Sequence, residues 1–258
     1  MDHVEMRNEF VILYNNVMSN QAPGLNDYEI SVFLTKGQDE TLKNYYNPKG
    51  NKYQEGSDDS PKRQIDFSNL IESSALSVFD TTSHLDYVKI DPRSQVFVLP
   101  SHTENNVKYE DVMFIQNEYA STSSDATNMA DYISVLPISH TEYQRLMTKP
   151  YKWPVHGQAW RMLKQYTSNT NDSTTCVEVV SKETITNYVM VYVRKPKPII
   201  VADLGQNSGV SLNGYTQAMD CELDSIVHEE IVQRAVELAK AAYVGDLNAT
   251  IQMGQRSE

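Results

Sequence analysis

The sequence predicts an α+β protein in which helices from both ends of the chain form a bundle around a central, mostly antiparallel β domain, followed by an extended C-terminal tail. Three observations carry this. Apolar residues recur at the 3.6-residue helical period over the first 80 residues. From about residue 85 short β-rich runs replace that period, and near residue 221 the helical period returns. The expected divisions are 1–80 helical, 81–220 β-rich, 221–245 a helix packing with the N-terminal ones, and 246–258 tail.

Residues 3–20 place Phe10, Val11, Tyr14, Val17 and Met18 on one helical face. APG at 22–24 breaks that helix. Asn26 opens a second one, because Asn26 and Glu29 have capping-box spacing. Its apolar face reads Ile30, Phe33, Leu34, Gly37, Thr41 and Tyr45. Residues 46–60 are dense in turn formers and read as a polar loop. Ser60-Pro61 then supplies an N-cap and a first-turn proline. A third helical stripe follows through Phe67, Leu70, Ile71, Ser74, Ala75 and Val78.

Strands are expected at 95–99, 111–119, 131–136, 175–181, 188–194 and 198–202, where β-branched and aromatic residues concentrate. The runs at 175–181 and 188–194 read as a hairpin joined by KETITN. Pro196 and Pro198 demote 195–201 to an edge strand or a strand switch. Ser139 and Glu142 form a capping box for one short helix, which Pro150 stops. The C-terminal helix is the clearest element. Val227, Ile231, Ala235, Leu238, Ala239 and Ala242 form one stripe, Asp224 or Ser225 can cap it, and Gly245 suits its end. The stripe is rich in alanine, so a partner backbone can approach closely.

Composition narrows the function classes. The 22 Lys+Arg against 34 Asp+Glu give a net charge of −12, which argues against phosphate-backbone binding as the main source of affinity. An acidic protein can still surround DNA without gripping it. No apolar run is long enough for a membrane span, and MDHVEMRNEF lacks the pattern of a signal peptide. Cys176 and Cys221 are expected as reduced, packed residues. The six histidines are scattered without HxH, HExxH or CxxC spacing; Cys221 and His228 could share one helix end, but two ligands do not make a metal site. Neither a phosphate-binding glycine loop nor a nucleophile elbow occurs, and Ser101-His102 and Ser139-His140 read as turns or caps. No catalytic, metal-binding or cofactor-binding residue is therefore assigned.

One block stands out. Residues 149–166, KPYKWPVHGQAWRMLKQY, combine Tyr151, Trp153, Trp160 and Arg161 with several lysines, the composition of an interface hot spot or a packed corner. The sixteen tyrosines suit interfaces in the same way.

Three segments carry a family resemblance: EFVILYNNVMSNQAPGLNDYEISVFLTKGQDETLKNYYNPKGNKYQEGSDDSPKRQIDFSNLI at 9–71, TKPYKWPVHGQAWRML at 148–163, and CELDSIVHEEIVQRAVELAKAAYVGDLNATIQMGQRSE at 221–258. They cover about half the chain, which resembles the head-to-tail connector (neck ring) proteins of crAss-like tailed bacteriophages. The resemblance implies a non-enzymatic virion subunit without cofactor, repeated around the portal axis, commonly twelvefold. Its implied partners are itself, the portal protein and the next ring protein, with packaged DNA passing through unread. Its implied location is the virion neck, and the host cytoplasm during assembly. Gly37, inside a helix, departs from expectation at roughly 1 kcal/mol against alanine. On this reading the tail residues Leu247, Ile251, Met253 and Arg256 are candidates for contact with the portal or a neighbour, as is the 46–60 loop. Tyr151, Trp153, Trp160 and Arg161 are the inter-subunit candidates. The alternatives are another tail ring or tail-barrel component, or, in a different class, a soluble ligand-binding or hydrolytic protein using the Trp153/Trp160 region.

Overall fold

A computed structural model describes residues 1–17, 24–46, 61–81, 84, 86–104, 107–123, 131–167, 173–206 and 210–244. The fold is α+β and divides into two compact units, one of residues 1–70 and 196–258, the other of residues 71–195.

The described residues of the first unit form the α-helices α1 (His3–Val17), α2 (Asp27–Tyr46), α3 (Pro61–Ser68) and α5 (Ser225–Val244). Their starts are set by capping side chains. Asn26 Oδ1 accepts from the Glu29 N–H at 2.8 Å while Glu29 Oε2 accepts from the Asn26 N–H at 2.9 Å, the reciprocal box read from the sequence. Asp2 and Glu5 build a second such box on α1. Asp224 caps α5 by accepting from the Ile226 N–H at 3.0 Å. Both α1 and α2 pack against α5. Met6, Phe10 and Tyr14 bury the inner face of α1, and Val227, Ile231, Ala235 and Ala239 that of α5, with Val232 and Val236 widening the stripe.

Gly37 explains its own presence. A Cβ there would sit 2.9 Å from the Ile231 carbonyl oxygen and 3.0 Å from the Ala235 nitrogen, so α2 rests directly on the backbone of α5. The propensity cost is exchanged for close packing, and the alanines opposite permit it.

The third helix is shorter than expected. It ends at Ser68, and Ile71–Ala75 form strand β1 instead. The reason is tertiary: every residue of β1 has a partner on β9 (Asn187–Arg194), from Ile71 opposite Val193 to Ala75 opposite Val189. Residues 198–202 are likewise not a sheet strand. They run as a strap along α2, whose buried polar stripe receives their backbone. The Ile199 N–H donates to Thr35 Oγ1 at 3.1 Å, the Val201 N–H to Ser31 Oγ at 3.1 Å, and Gln38 Nε2 donates to the Lys197 carbonyl at 3.0 Å. Ser31, Thr35 and Gln38, at i, i+4 and i+7, are buried because they satisfy backbone groups that no ladder serves.

The second unit is a seven-stranded sheet with α4 (His140–Met147) on it, plus the hairpin of β3 (Ser101–Glu104) and β4 (Val107–Glu110). The sheet strands are β1, β2 (Gln95–Val98), β5 (Val112–Ser121), β6 (Tyr132–Pro137), β7 (Gln158–Thr167), β8 (Ser173–Ser181) and β9, in the order β1-β9-β5-β6-β7-β8-β2. All neighbours are antiparallel except β6 and β7, whose parallel pairing needs the crossover that carries α4. The expected hairpin of β8 with β9 does not form. β8 lies between β7 and β2, while β9 lies between β1 and β5.

The sheet closes on itself. After β1 leaves β9, the Val98 N–H donates to the Ser77 carbonyl and the Phe79 N–H to the Val96 carbonyl, so residues 77–79 pair with β2 at the other end of the strand order. Closure removes the two exposed edges there and brings β8 and β9 round a common interior. Phe97 of β2 and Tyr188 of β9 stack inside at 5.1 Å between ring centroids, among Ile133, Ala159, Val177 and Met190.

Candidate functional site

The 149–166 block, read as one surface, is split by the fold. A single 3-10 turn at Pro150–Lys152 precedes β7, and along β7 the chain changes from surface to core. Tyr151 is 79% exposed. Trp153 is half-buried, with the Arg93 guanidinium 3.7 Å above its ring. Arg93 is fixed from behind: Asp91, buried, accepts from it at 2.9 and 3.2 Å and from the Tyr143 hydroxyl at 2.8 Å. Burial alone would raise the Asp91 carboxyl. The Arg93 N–H, the Tyr143 hydroxyl and the Arg93 guanidinium outweigh it and hold that carboxyl below the usual range. Trp153, Arg93, Lys182 and Glu183 line a cleft of about 390 Å³, and at its rim His156 bonds Glu183.

Trp160 and Arg161 point elsewhere. Trp160 packs under α4 with Tyr143, Met162 and Val180, and is buried. Arg161 reaches Glu118 at 2.8 Å and 3.1 Å, and the Tyr188 hydroxyl donates to the same carboxylate at 3.0 Å. Burial and Glu118 together push the Tyr188 phenol far above its ordinary value. Within the subunit, then, Trp160 packs beneath α4 and Arg161 is engaged by Glu118. The sequence could not separate them from Trp153, because composition does not record where β7 begins, and Trp153 lies before it while Trp160 and Arg161 lie on it.

A polar network that sequence reading missed lies beside them. Glu178, fully buried on β8, accepts from the Ile90 N–H at 2.6 Å, the Asp91 N–H at 3.0 Å, Ser94 Oγ at 2.5 Å and the Tyr87 hydroxyl at 3.3 Å. It ties the irregular segment before β2 to the sheet, and that segment presents Arg93 to Trp153. Its one sequence signal is a glutamate in the otherwise apolar run CVEVV.

Leu247, Ile251, Met253, Arg256 and nearly all of the 46–60 loop lie outside the described residues. His228 is buried with Nε2 bonded to the Leu223 carbonyl at 2.9 Å. The Cys221 thiol turns to Gln38 Oε1 at 3.6 Å, and burial pushes it up to about 11, so it is a protonated thiol near neutrality. Among the described residues no group of three or more metal-ligating side chains occurs, and no helix is long and apolar enough to cross a membrane.

What the geometry offers, then, is braced surface around a closed sheet, and comparison with known proteins says where such a subunit belongs. The phage tail ring protein 3/4 family, a family of crAss-like phages, matches residues 1–251. The chain belongs to that family. The match runs through both compact units, so the family fold includes the helices as well as the sheet. Among the family's relatives, ring protein 4/5 of Bacteroides phage crAss001 is 48% identical over 255 residues, 98% of each chain. Ring protein 3 of the same phage is 27% identical over 241 residues, 93% of this chain and 95% of the relative.

Proposed function

We propose that the chain is a non-enzymatic subunit of a virion ring at the head-to-tail junction, repeated around the axis in twelve copies, joining portal to tail and letting packaged DNA pass through its bore. The observation that carries this reading is the 48% identity, over nearly the whole of both chains, with a protein named as a ring protein. Physical features support it. A cyclic ring needs two different patches on each subunit, and a helical unit and a closed sheet supply surfaces of different chemistry. In this reading α1, α2, α3 and α5 act as one bundle. The 246–258 tail reaches the portal or a neighbouring ring through Leu247, Ile251, Met253 and Arg256, and Tyr151 and Trp153 serve the subunit interface. The net charge of −12 favours a bore that phosphates do not grip.

A second reading, a ring lower in the tail, is favoured by the family's description as a tail ring protein. Addition of portal protein separates the two. For the portal-proximal ring, portal and chain are expected to co-migrate in size-exclusion chromatography, and deletion of 246–258 to abolish it. Rings that ignore portal would select the lower position.

A further inference from the structure

The charges of the two units are unequal. Residues 71–195 hold 14 acidic and 11 basic side chains, and the remaining residues hold 20 acidic and 11 basic, so the helical unit has a net charge of −9 and the sheet unit −3. Repeating so acidic a subunit around a ring brings like charges together, unless each contact sets cations against carboxylates.

Among the described residues of the sheet unit, cations gather at one corner. Arg145 in the last turn of α4, then Lys149 and Lys152 around the 3-10 turn, are exposed, and none pairs with a described carboxylate. Between the two lysines Tyr151 is 79% exposed, and beyond them Val155 is 52% exposed. A basic corner with an aromatic centre is a protein-docking chemistry, whereas phosphate binding has no need of the apolar part. The helical unit offers the complement on the outward face of α5. Ile226 is 62% exposed there, followed by exposed Glu229, Glu230 and Glu237. Glu237 is shared with Arg234 at 2.9 Å, but Glu229 meets only the Gln233 amide, at 3.4 Å, and Glu230 only the Tyr45 hydroxyl.

We propose that the basic aromatic corner of Arg145, Lys149, Tyr151 and Lys152 docks on the acidic outward face of α5 in the next copy of the chain. The proposal rests on the ring reading above and adds its polarity: sheet unit of one copy to helical unit of the next. Lysines reach the α5 carboxylates, and Tyr151 covers Ile226.

Charge reversal tests it on the full-length protein. Lys149→Glu with Lys152→Glu, and separately Glu229→Lys with Glu230→Lys, are each expected to lower the assembled fraction about tenfold in mass photometry, with thermal unfolding of K149E/K152E unchanged. All four substitutions together are expected to restore assembly, and salt to weaken only the native and restored contacts. Assembly of K149E/K152E at the native level overturns the proposal while leaving the ring reading intact, as does failure of the four-site variant to recover. Loss of double-stranded DNA retention by K149E/K152E, with assembly unchanged, overturns it in favour of a phosphate surface. A native chain that never assembles removes both readings.

Discussion

Replacing Gly37 with alanine is expected to destabilise the helical unit by about 1–3 kcal/mol. Helix propensity alone predicts the opposite sign, a gain of roughly 1 kcal/mol for Gly→Ala in a helix interior. The crossing decides. The new methyl would meet the Ile231 carbonyl oxygen at 2.9 Å, the Ala235 nitrogen at 3.0 Å and the Ala235 Cβ at 3.2 Å. Two of those three atoms are backbone, so no rotamer change relieves them, and α2 must lift from α5. Adding Ala235→Gly is expected to recover only part of the loss, since it removes one contact of three. Thermal or urea unfolding of the native protein and the two variants reads this directly. A Gly37→Ala protein more stable than the native one would mean that the two helices do not cross there.

Removal of the Glu178 carboxylate by Glu178→Ala is expected to cost about 3–5 kcal/mol. The side chain is fully buried and receives two backbone N–H groups, the Ser94 hydroxyl and the Tyr87 hydroxyl. Alanine takes this acceptor from all four; the Ser94 hydroxyl keeps the Asp91 carbonyl at 2.7 Å, while the two N–H groups and the Tyr87 hydroxyl lose their bond to it. Glu178→Gln keeps one acceptor oxygen but turns an NH₂ group towards donors, so it is expected to fall between native and alanine. Tyr87 reports on the network: burial and the Glu178 charge hold its phenol far above the ordinary value, and in the alanine variant that value should drop towards normal. A fall of less than 1 kcal/mol in unfolding free energy for E178A would show that the 87–94 segment is not held by this carboxylate.

What the sequence displayed were the features written in local chemistry. The reciprocal cap at Asn26 and Glu29 and the cap at Asp224 depend on residues within one turn of each other, and they stand where the sequence put them; of the stripe read on α5, Val227, Ile231, Ala235 and Ala239 are buried, Leu238 is half-buried and Ala242 is exposed. The apolar runs of β5, β8 and β9 were legible for the same reason, whereas β7, with its lysine and glutamines, was not read as a strand. Strand order was not. β8 and β9 follow one another along the chain, yet they lie apart in the order because the sheet closes through residues 77–79. The strand β1 has the weak strand sequence IESSA and owes its form to β9 beside it. Conversely, PIIVA has a strand composition but two prolines nearby, and the hydroxyls of α2 receive its backbone in place of a ladder. In the candidate site, the aromatic and basic composition of 149–166 was visible. Its division into exposed Tyr151, braced Trp153 and interior Trp160 and Arg161 was not, because that depends on where β7 enters the sheet.

The central claim is that the chain closes into rings, and its most direct measurement is the mass distribution of the purified full-length protein over a concentration series. The account predicts a discrete closed species of twelve copies of 29.3 kDa, about 350 kDa, in exchange with the monomer and without a ladder of larger polymers. A single 29.3 kDa monomer at every concentration, with and without portal protein, would contradict it.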